Sequence, residues 1–378
     1  MENGYNRNVI IKKERSDKMK KVKNSFGGVI FGIILFIAGI ILLWWNEGNN
    51  VKNIKTVDEL RKNYIDIENT PIESKNEGKL VAINGKMDIG REPLVDSEFN
   101  IEVYTAKLKR VVEMYQWEEE SHEEDDRTTY SYKKVWSDKN IDSASFHKNN
   151  HNNPDMPYES QDYEVSSISL GDFNLTSNQI ADLPATDYLE IEGSKEYKSG
   201  YIIKDGKYLT NSLDYEHPEI GDIRVYYQYA NYDDISVLAV QKGSSFEDYV
   251  SKVGKHTNYI LKGRHEGKEI INDIEEGNNT LKWILRLIGT LLVIFGIALI
   301  LGPISTLTGF VPILGGVVGF VLFLVELLLG LAISLVVIAI SWIFYRPVLG
   351  IILIIAAVGL IIAITSLLKK NKKEKQEA

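Results

Sequence analysis

Apolar residues in this chain gather in two blocks, separated by a long polar stretch. Phe26 to Trp45 is a run of 20 residues without a charge, enough for one helix across roughly 30 Å of hydrocarbon. Trp44 and Trp45 close it as interfacial aromatics. A cleaved signal peptide would have a shorter apolar region and a small-residue cleavage site, so the block reads as a retained anchor. The second block, Trp283 to Leu368, carries only the charges Arg286, Glu326 and Arg346. Within it, residues 283–301 predict a second span and 348–368 a last one. Gly302-Pro303 and Val311-Pro312 interrupt the run, and prolines remove backbone donors that lipid does not replace. Residues 302–317 therefore read as a re-entrant or interfacial segment, and 318–344 as a third span.

Between the blocks, residues 46–281 show period-2 alternation. The odd positions of Ile223–Tyr229 form an apolar face, and Ile101–Trp117 is a long extended stretch with Tyr130–Trp136 as its antiparallel partner. The run Glu118–Asp126 repels itself and predicts an acidic hairpin tip. Further strands are expected near Leu80–Met87, Tyr188–Glu192, Tyr201–Leu209 and Ile235–Gln241. Short helices are expected at Thr56–Asn63, Phe246–Val253 and Lys268–Glu276. The fold class is α+β: four transmembrane helices and a large, mainly β domain between spans one and two.

Charge gives this layout a direction. The 378 residues carry a formal net charge of −9, but residues 1–45 carry +5, residues 46–281 carry −19, residues 282–368 carry +2 and the last ten carry +3. Basic flanks favour the cytoplasm. The basic segment 1–25 and the lysine tail 369–378 then share that side, which demands an even number of spans. Both termini are expected to be cytoplasmic and the acidic domain extracytoplasmic or lumenal. An acidic domain also argues against nucleic acid as a partner. The absence of cysteine excludes disulfides, thiolate nucleophiles and Cys-ligated metals.

Chemistry-bearing patterns are sparse. His147 and His151 have the spacing of a helical metal pair, but Lys148 stands where a zinc protease needs its Glu and two asparagines follow. That segment reads as a polar loop. His217-Pro218 is an extended dipeptide, and the acidic run lacks the alternating ligands and glycine of a calcium loop. No catalytic, cofactor-binding or metal-binding residue is assigned, and no cofactor is expected. Glu326, the one acid inside the apolar block, is the candidate intramembrane functional residue. Small-xxx-small spacings at Gly28/Gly32 and Gly315/Gly319 suggest close helix packing or self-association. Tyr226, Tyr227, Tyr229 and Tyr232 cluster on or near one strand, as residues of a binding surface do.

Several motifs together resemble the transmembrane protein 43 (LUMA) family. These are Trp45-Asn46-Glu47-Gly48 at the exit of span one, and Glu113-Met114-Tyr115-Gln116-Trp117 in the central strand. Tyr130-Ser131-Tyr132 with Trp136, Asn153-Pro154, Pro218 to Val225 with Arg224, and Trp342-Ile343-Phe344-Tyr345-Arg346-Pro347 follow in order. The likeness runs from about residue 26 to 368. It implies a four-span protein with a large lumenal domain, residing in the endoplasmic reticulum and inner nuclear membrane in animals. There the family self-associates and is linked to lamins and emerin. In a bacterium those partners are absent, the architectural role alone transfers, and the domain faces outward from the plasma membrane. The resemblance carries no catalytic residue.

The function expected on these grounds is a non-enzymatic membrane scaffold or organiser, embedded in lipid and acting through self-association and partner docking. The alternative is a transporter or lipid-handling protein that uses Glu326 and the broken segment 302–317.

Overall fold

The computed structural model describes residues 2–124, 127–193, 195–308 and 315–348, and the side chains of residues 27–122, 128–193, 195–302 and 323–348. Four helices occur among them: α1 (Glu2–Asn63), the short α2 (Ser177–Ala181), α3 (Gly267–Thr308) and α4 (Gly315–Tyr345). Among the described residues, three helices are long and apolar enough to cross a membrane, Gly27–Asn63, Gly267–Gly302 and Phe323–Tyr345. They overlap the residues expected as the first three spans. The expected fourth span, 348–368, lies outside the described residues except for Val348, and the tail 369–378 lies wholly outside them. The segment 302–317 has helical backbone through Thr308 and again from Gly315; its centre is not among the described residues.

The chain divides into two compact units. One comprises residues 1–55 and 274–378, the other residues 56–273.

The second unit holds two mainly antiparallel sheets of seven strands each. In one, Asp234–Lys242 lies between Leu80–Asp88 and Ser245–Glu247, while Tyr259–Lys262 also pairs with it. Ile235 to Val240 are all buried, because both faces of this strand are covered, and the sequence there is a continuous run rather than an alternation. Val81, Ile83, Leu170, Phe173, Val237 and Phe246 fill the core beside it.

The other sheet is ordered Ile202–Lys204, Tyr208–Thr210, Ile223–Tyr229, Lys107–Glu124, Arg127–Ser137. The alternation read from the sequence holds: Ile223, Val225 and Tyr227 are buried and face Met114, Val112 and Arg110 in register. Tyr227 and Arg110 are polar residues pointing inward, and a third residue accounts for both. Asp96, 1% exposed, accepts 2.9 Å hydrogen bonds on both oxygens from Arg110 Nη1 and a 2.6 Å one from the Tyr227 hydroxyl. Arg110 Nε and Nη2 donate to the Glu159 carbonyl at 3.1 and 3.0 Å, and Nη2 also reaches Gln161 Oε1 at 3.4 Å. A buried charge survives only when paired and saturated in this way.

Four local expectations are corrected. Phe246–Val253 is not a helix but two short strands, Ser245–Glu247 and Tyr249–Val250, drawn extended by pairing with Asp234–Lys242 and His256–Thr257. Tyr201–Leu209 is a hairpin, turned at Asp205-Gly206 with φ of 55° and 64°. Strand Tyr188–Glu192 shrinks to Asp187–Tyr188. The acidic run forms the expected hairpin, but it is paired strand and not tip as far as Glu124: Glu118 to Glu124 continue the strand and pair with Arg127 to Lys133. Lys133 supplies counter-charge to Glu118 and Glu120, which relieves the repulsion that the sequence alone implies.

Buried tyrosines tie this unit's stability to pH. Burial, and after it the Asp96 charge, pushes Tyr163 up to about 12, and burial with a hydrogen bond to Asp273 pushes Tyr259 up to about 12. Tyr227 moves in the same direction, by burial first and Asp96 second. The folded state thus holds these protons more tightly than the unfolded chain, whose tyrosines ionise near 10. Their contribution is complete below about pH 10 and is lost as pH rises towards 12. The β circular-dichroism signal is expected to hold to about pH 10 and then fall alongside tyrosinate absorbance. Tyrosinate forming fully at pH 10 with the signal intact would contradict this.

Candidate functional site

The unit formed by residues 1–55 and 274–378 has a close helix seam. Gly32 and Gly39 of α1 meet Gly296 and Gly289 of α3, so the two helices run antiparallel. A Cβ at Gly39 would lie 2.9 Å from the Gly289 carbonyl oxygen, and one at Gly296 would lie 2.6 Å from the Phe36 nitrogen. Only glycine permits backbones this near, and it is how helices associate where apolar burial gives no advantage over lipid. The expected Gly28/Gly32 pair is half right, since Gly28 faces open space. The surroundings of Gly315 and Gly319 lie outside the described residues. On α4, Gly330 lets the helix approach Ile294 of α3.

The same seam continues into a buried ion pair. Glu47, 1% exposed, accepts from Arg286 Nε at 2.7 Å and Nη2 at 3.0 Å. Its Oε2 also accepts from the Trp342 indole N–H at 2.7 Å. One carboxylate thereby joins α1, α3 and α4. Asn46, its neighbour, donates to the Lys282 carbonyl at 3.1 Å, and Asn53 donates to Asn278 at 2.9 Å. Gly48 is fixed by Tyr345, whose ring would lie 2.6 Å from a Cβ there. Trp44 packs on Phe344 and Tyr345 with ring centroids 5.4 and 5.7 Å away. The two ends of the sequence motif set, Trp45–Gly48 and Trp342–Pro347, therefore meet in space.

Each candidate motif residue there has a place. Asn46 and Glu47 are buried, and Gly48 and Tyr345 interlock. Trp45 is instead exposed, as an outward interfacial aromatic should be. Arg346 sits where α4 ends, 5.8 Å from the Trp342 ring, and Pro347 follows at the helix boundary. Glu326 is not part of this cluster. It lies half-buried on α4, sixteen residues before Trp342, roughly 24 Å along the axis, and no hydrogen bond or ion pair reaches it among the described residues.

Sequence reasoning missed Arg286 as a member of this site, although Glu47 and Arg286 are nearly the only charges at the edges of their apolar blocks. Both oxygens of Glu47 are occupied, which makes the group a clamp and not a poised base. An Arg guanidinium suits it because its planar fork matches a carboxylate at two points.

In the 56–273 unit, Tyr115 and Arg224 fall on the solvent side of their sheet. Arg224 Nε pairs with Glu113 at 2.5 Å, and its guanidinium lies over Trp136 at 4.5 Å and Tyr208 at 5.0 Å. Tyr115 packs on Trp136, and Trp136 on Tyr215. Of the tyrosine cluster, Tyr226 joins this face, packed on Tyr188 and Tyr208, while Tyr227 belongs to the core. Trp117 is held by Asn153, which accepts from its N–H at 2.7 Å and donates to its carbonyl at 2.9 Å. Gly221, with φ of 96°, passes against Pro154, so the Asn153-Pro154 and Pro218–Asp222 motifs are parts of one joint. His147 and His151 stack on Tyr130 and Tyr132 at 4.1 and 3.8 Å, and among the described residues no group of three metal-ligating side chains forms.

A family model described as Transmembrane protein 43 matches residues 114–347. The Transmembrane protein 43 homolog of Drosophila melanogaster is 30% identical, over 70% of this chain and 74% of its own. Transmembrane protein 43 of Pongo abelii is 27% identical over 92% of both chains, and that of Homo sapiens 27% identical over 91% and 90%. The names of these relatives are those of plain membrane proteins. No solved structure matches the chain significantly.

Proposed function

The chain belongs to the transmembrane protein 43 family, and from that premise we propose that it is a non-enzymatic scaffold or organiser of its membrane. It works through self-association and partner docking. The observation that supports this reading is the Glu47 clamp. The residues shared by the motifs at the membrane spend their polar atoms on one another, binding three helices together, rather than lining a reactive cavity. The aromatic face around Arg224 and Trp136 offers the docking surface, since aromatic and Arg residues dominate interface energetics. In this reading the acidic domain is extracytoplasmic or lumenal and both termini are cytoplasmic.

The native chain has no cysteine, so single-cysteine variants test both parts in intact membranes. Cysteine at position 122 is expected to react with an impermeant label applied from the extracytoplasmic side, and cysteines on the aromatic face to give cross-linked oligomers or a captured partner. Labelling from the cytoplasmic side, or a strictly monomeric protein without partner, would overturn the proposal. A Glu326→Gln variant that loses a transport phenotype while keeping its oligomers would favour the transport reading instead.

A further inference from the structure

Around the Glu47 clamp the charges do not balance. Lys282 lies 5.6 Å from the Trp283 ring, Arg286 4.7 Å from the same ring and 5.9 Å from Trp342, and Arg346 5.8 Å from Trp342 on its own account. Three cations therefore alternate with two indoles in one cluster, close enough for Arg286 and Arg346 to repel Lys282 and for Glu47 alone to attract it. Glu47 is the one carboxylate in it, and it is committed to Arg286. Lys282 reaches only the Asn279 side-chain oxygen at 2.7 Å. No carboxylate reaches Lys282 or Arg346 among the described residues.

Two surplus positive charges this close together, Lys282 within α3 and Arg346 at the end of α4, are electrostatically unfavourable unless an anion joins them. Trp283, Leu287, Phe344 and Val348 are exposed beside the cluster at 62%, 62%, 67% and 71%, so apolar surface continues from the cations along the helices. An anion here would have to carry a charged head and a hydrocarbon body. Indole rings at such a position also mark headgroup depth.

We propose that Lys282 and Arg346 bind the phosphate of an anionic phospholipid, whose acyl chains lie along the exposed faces of α3 and α4. Basic pockets between transmembrane helices hold anionic headgroups by this chemistry, and Arg presents a fork that fits phosphate. The site is independent of whether the protein acts as a scaffold, because it rests on the charge count at the clamp.

The test is native mass spectrometry of the full chain released from nanodiscs containing phosphatidylcholine and phosphatidylglycerol. Wild type is expected to retain one phosphatidylglycerol per chain in preference to phosphatidylcholine. Lys282→Gln/Arg346→Gln should lower that retention about thirtyfold, each cation near a lipid surface contributing about fivefold. The double variant should keep its melting midpoint in phosphatidylcholine alone, which shows that it is folded. Conservative Lys282→Arg/Arg346→Lys should restore retention. Equal retention of both lipids by wild type, or undiminished phosphatidylglycerol on the double variant, would overturn the proposal. So would displacement of the lipid by inorganic phosphate alone, which would make this a free-phosphate site.

Discussion

Replacing Glu47 by alanine is expected to produce the largest loss of stability in the membrane unit, about 3–5 kcal/mol, the usual consequence of breaking a buried pair on one side. Three interactions disappear together: both Arg286 hydrogen bonds and the acceptor of the Trp342 indole N–H. The larger effect comes from what is left behind. The Arg286 side chain is only 12% exposed, and without Glu47 its charge has no compensation in the closed space between the helices. Glu47→Gln should be milder, because the amide keeps one acceptor for Trp342 while still failing Arg286. Thermal unfolding of detergent-solubilised protein, followed by size-exclusion of the folded fraction, checks the order. A Glu47→Ala protein as stable as wild type would show that the clamp carries no net energy.

The second large effect is expected in the other unit. Arg110→Ala should destabilise the 56–273 unit by about 3–5 kcal/mol, since the Asp96 charge then keeps only neutral donors, among them the Tyr227 hydroxyl and the Glu98 backbone N–H, in a nearly dry core. Tyr227→Phe, which leaves the Asp96–Arg110 pair intact, should cost about 1–3 kcal/mol. Limited proteolysis of the full chain under increasing urea distinguishes the two. If Tyr227→Phe proved the more damaging substitution, the ion pair would not be the centre of this core.

These two clusters were not equally visible in the sequence. Asn46 and Glu47 stand in a recognisable motif, but Arg286 lies 239 residues further along. Nothing local ties a charge at the edge of one apolar block to a charge at the edge of another. The anchor, the apolar block and the inward alternation of Ile223, Val225 and Tyr227 were legible because each depends on periodicity within one element. The glycine seam was misplaced for the opposite reason. Gly28/Gly32 satisfies the local spacing, whereas the pairs that touch, Gly32 with Gly296 and Gly39 with Gly289, depend on how two helices meet.

Elsewhere local signals competed. Asp205-Gly206 is a hairpin turn in plain view, hidden inside what reads as one extended run. Phe246–Val253 has spacing compatible with a helical turn, but an open strand edge at Val240–Lys242 draws it into the sheet. Glu118–Glu124 reads as a self-repelling hairpin tip, but strand pairing and the counter-charge of Lys133 carry the ladder through it to Glu124. In each case pairing with the neighbouring strand decided the outcome, which is why propensity alone pointed the wrong way.

Glu47 and Arg286 are expected to act as one unit that holds the membrane helices together. A double-mutant cycle with Glu47→Gln, Arg286→Gln and both together measures this directly. Strong coupling is expected, with the double variant less destabilised than the sum of the single ones by about 1.5 kcal/mol or more. Additive effects within about 0.5 kcal/mol would contradict it.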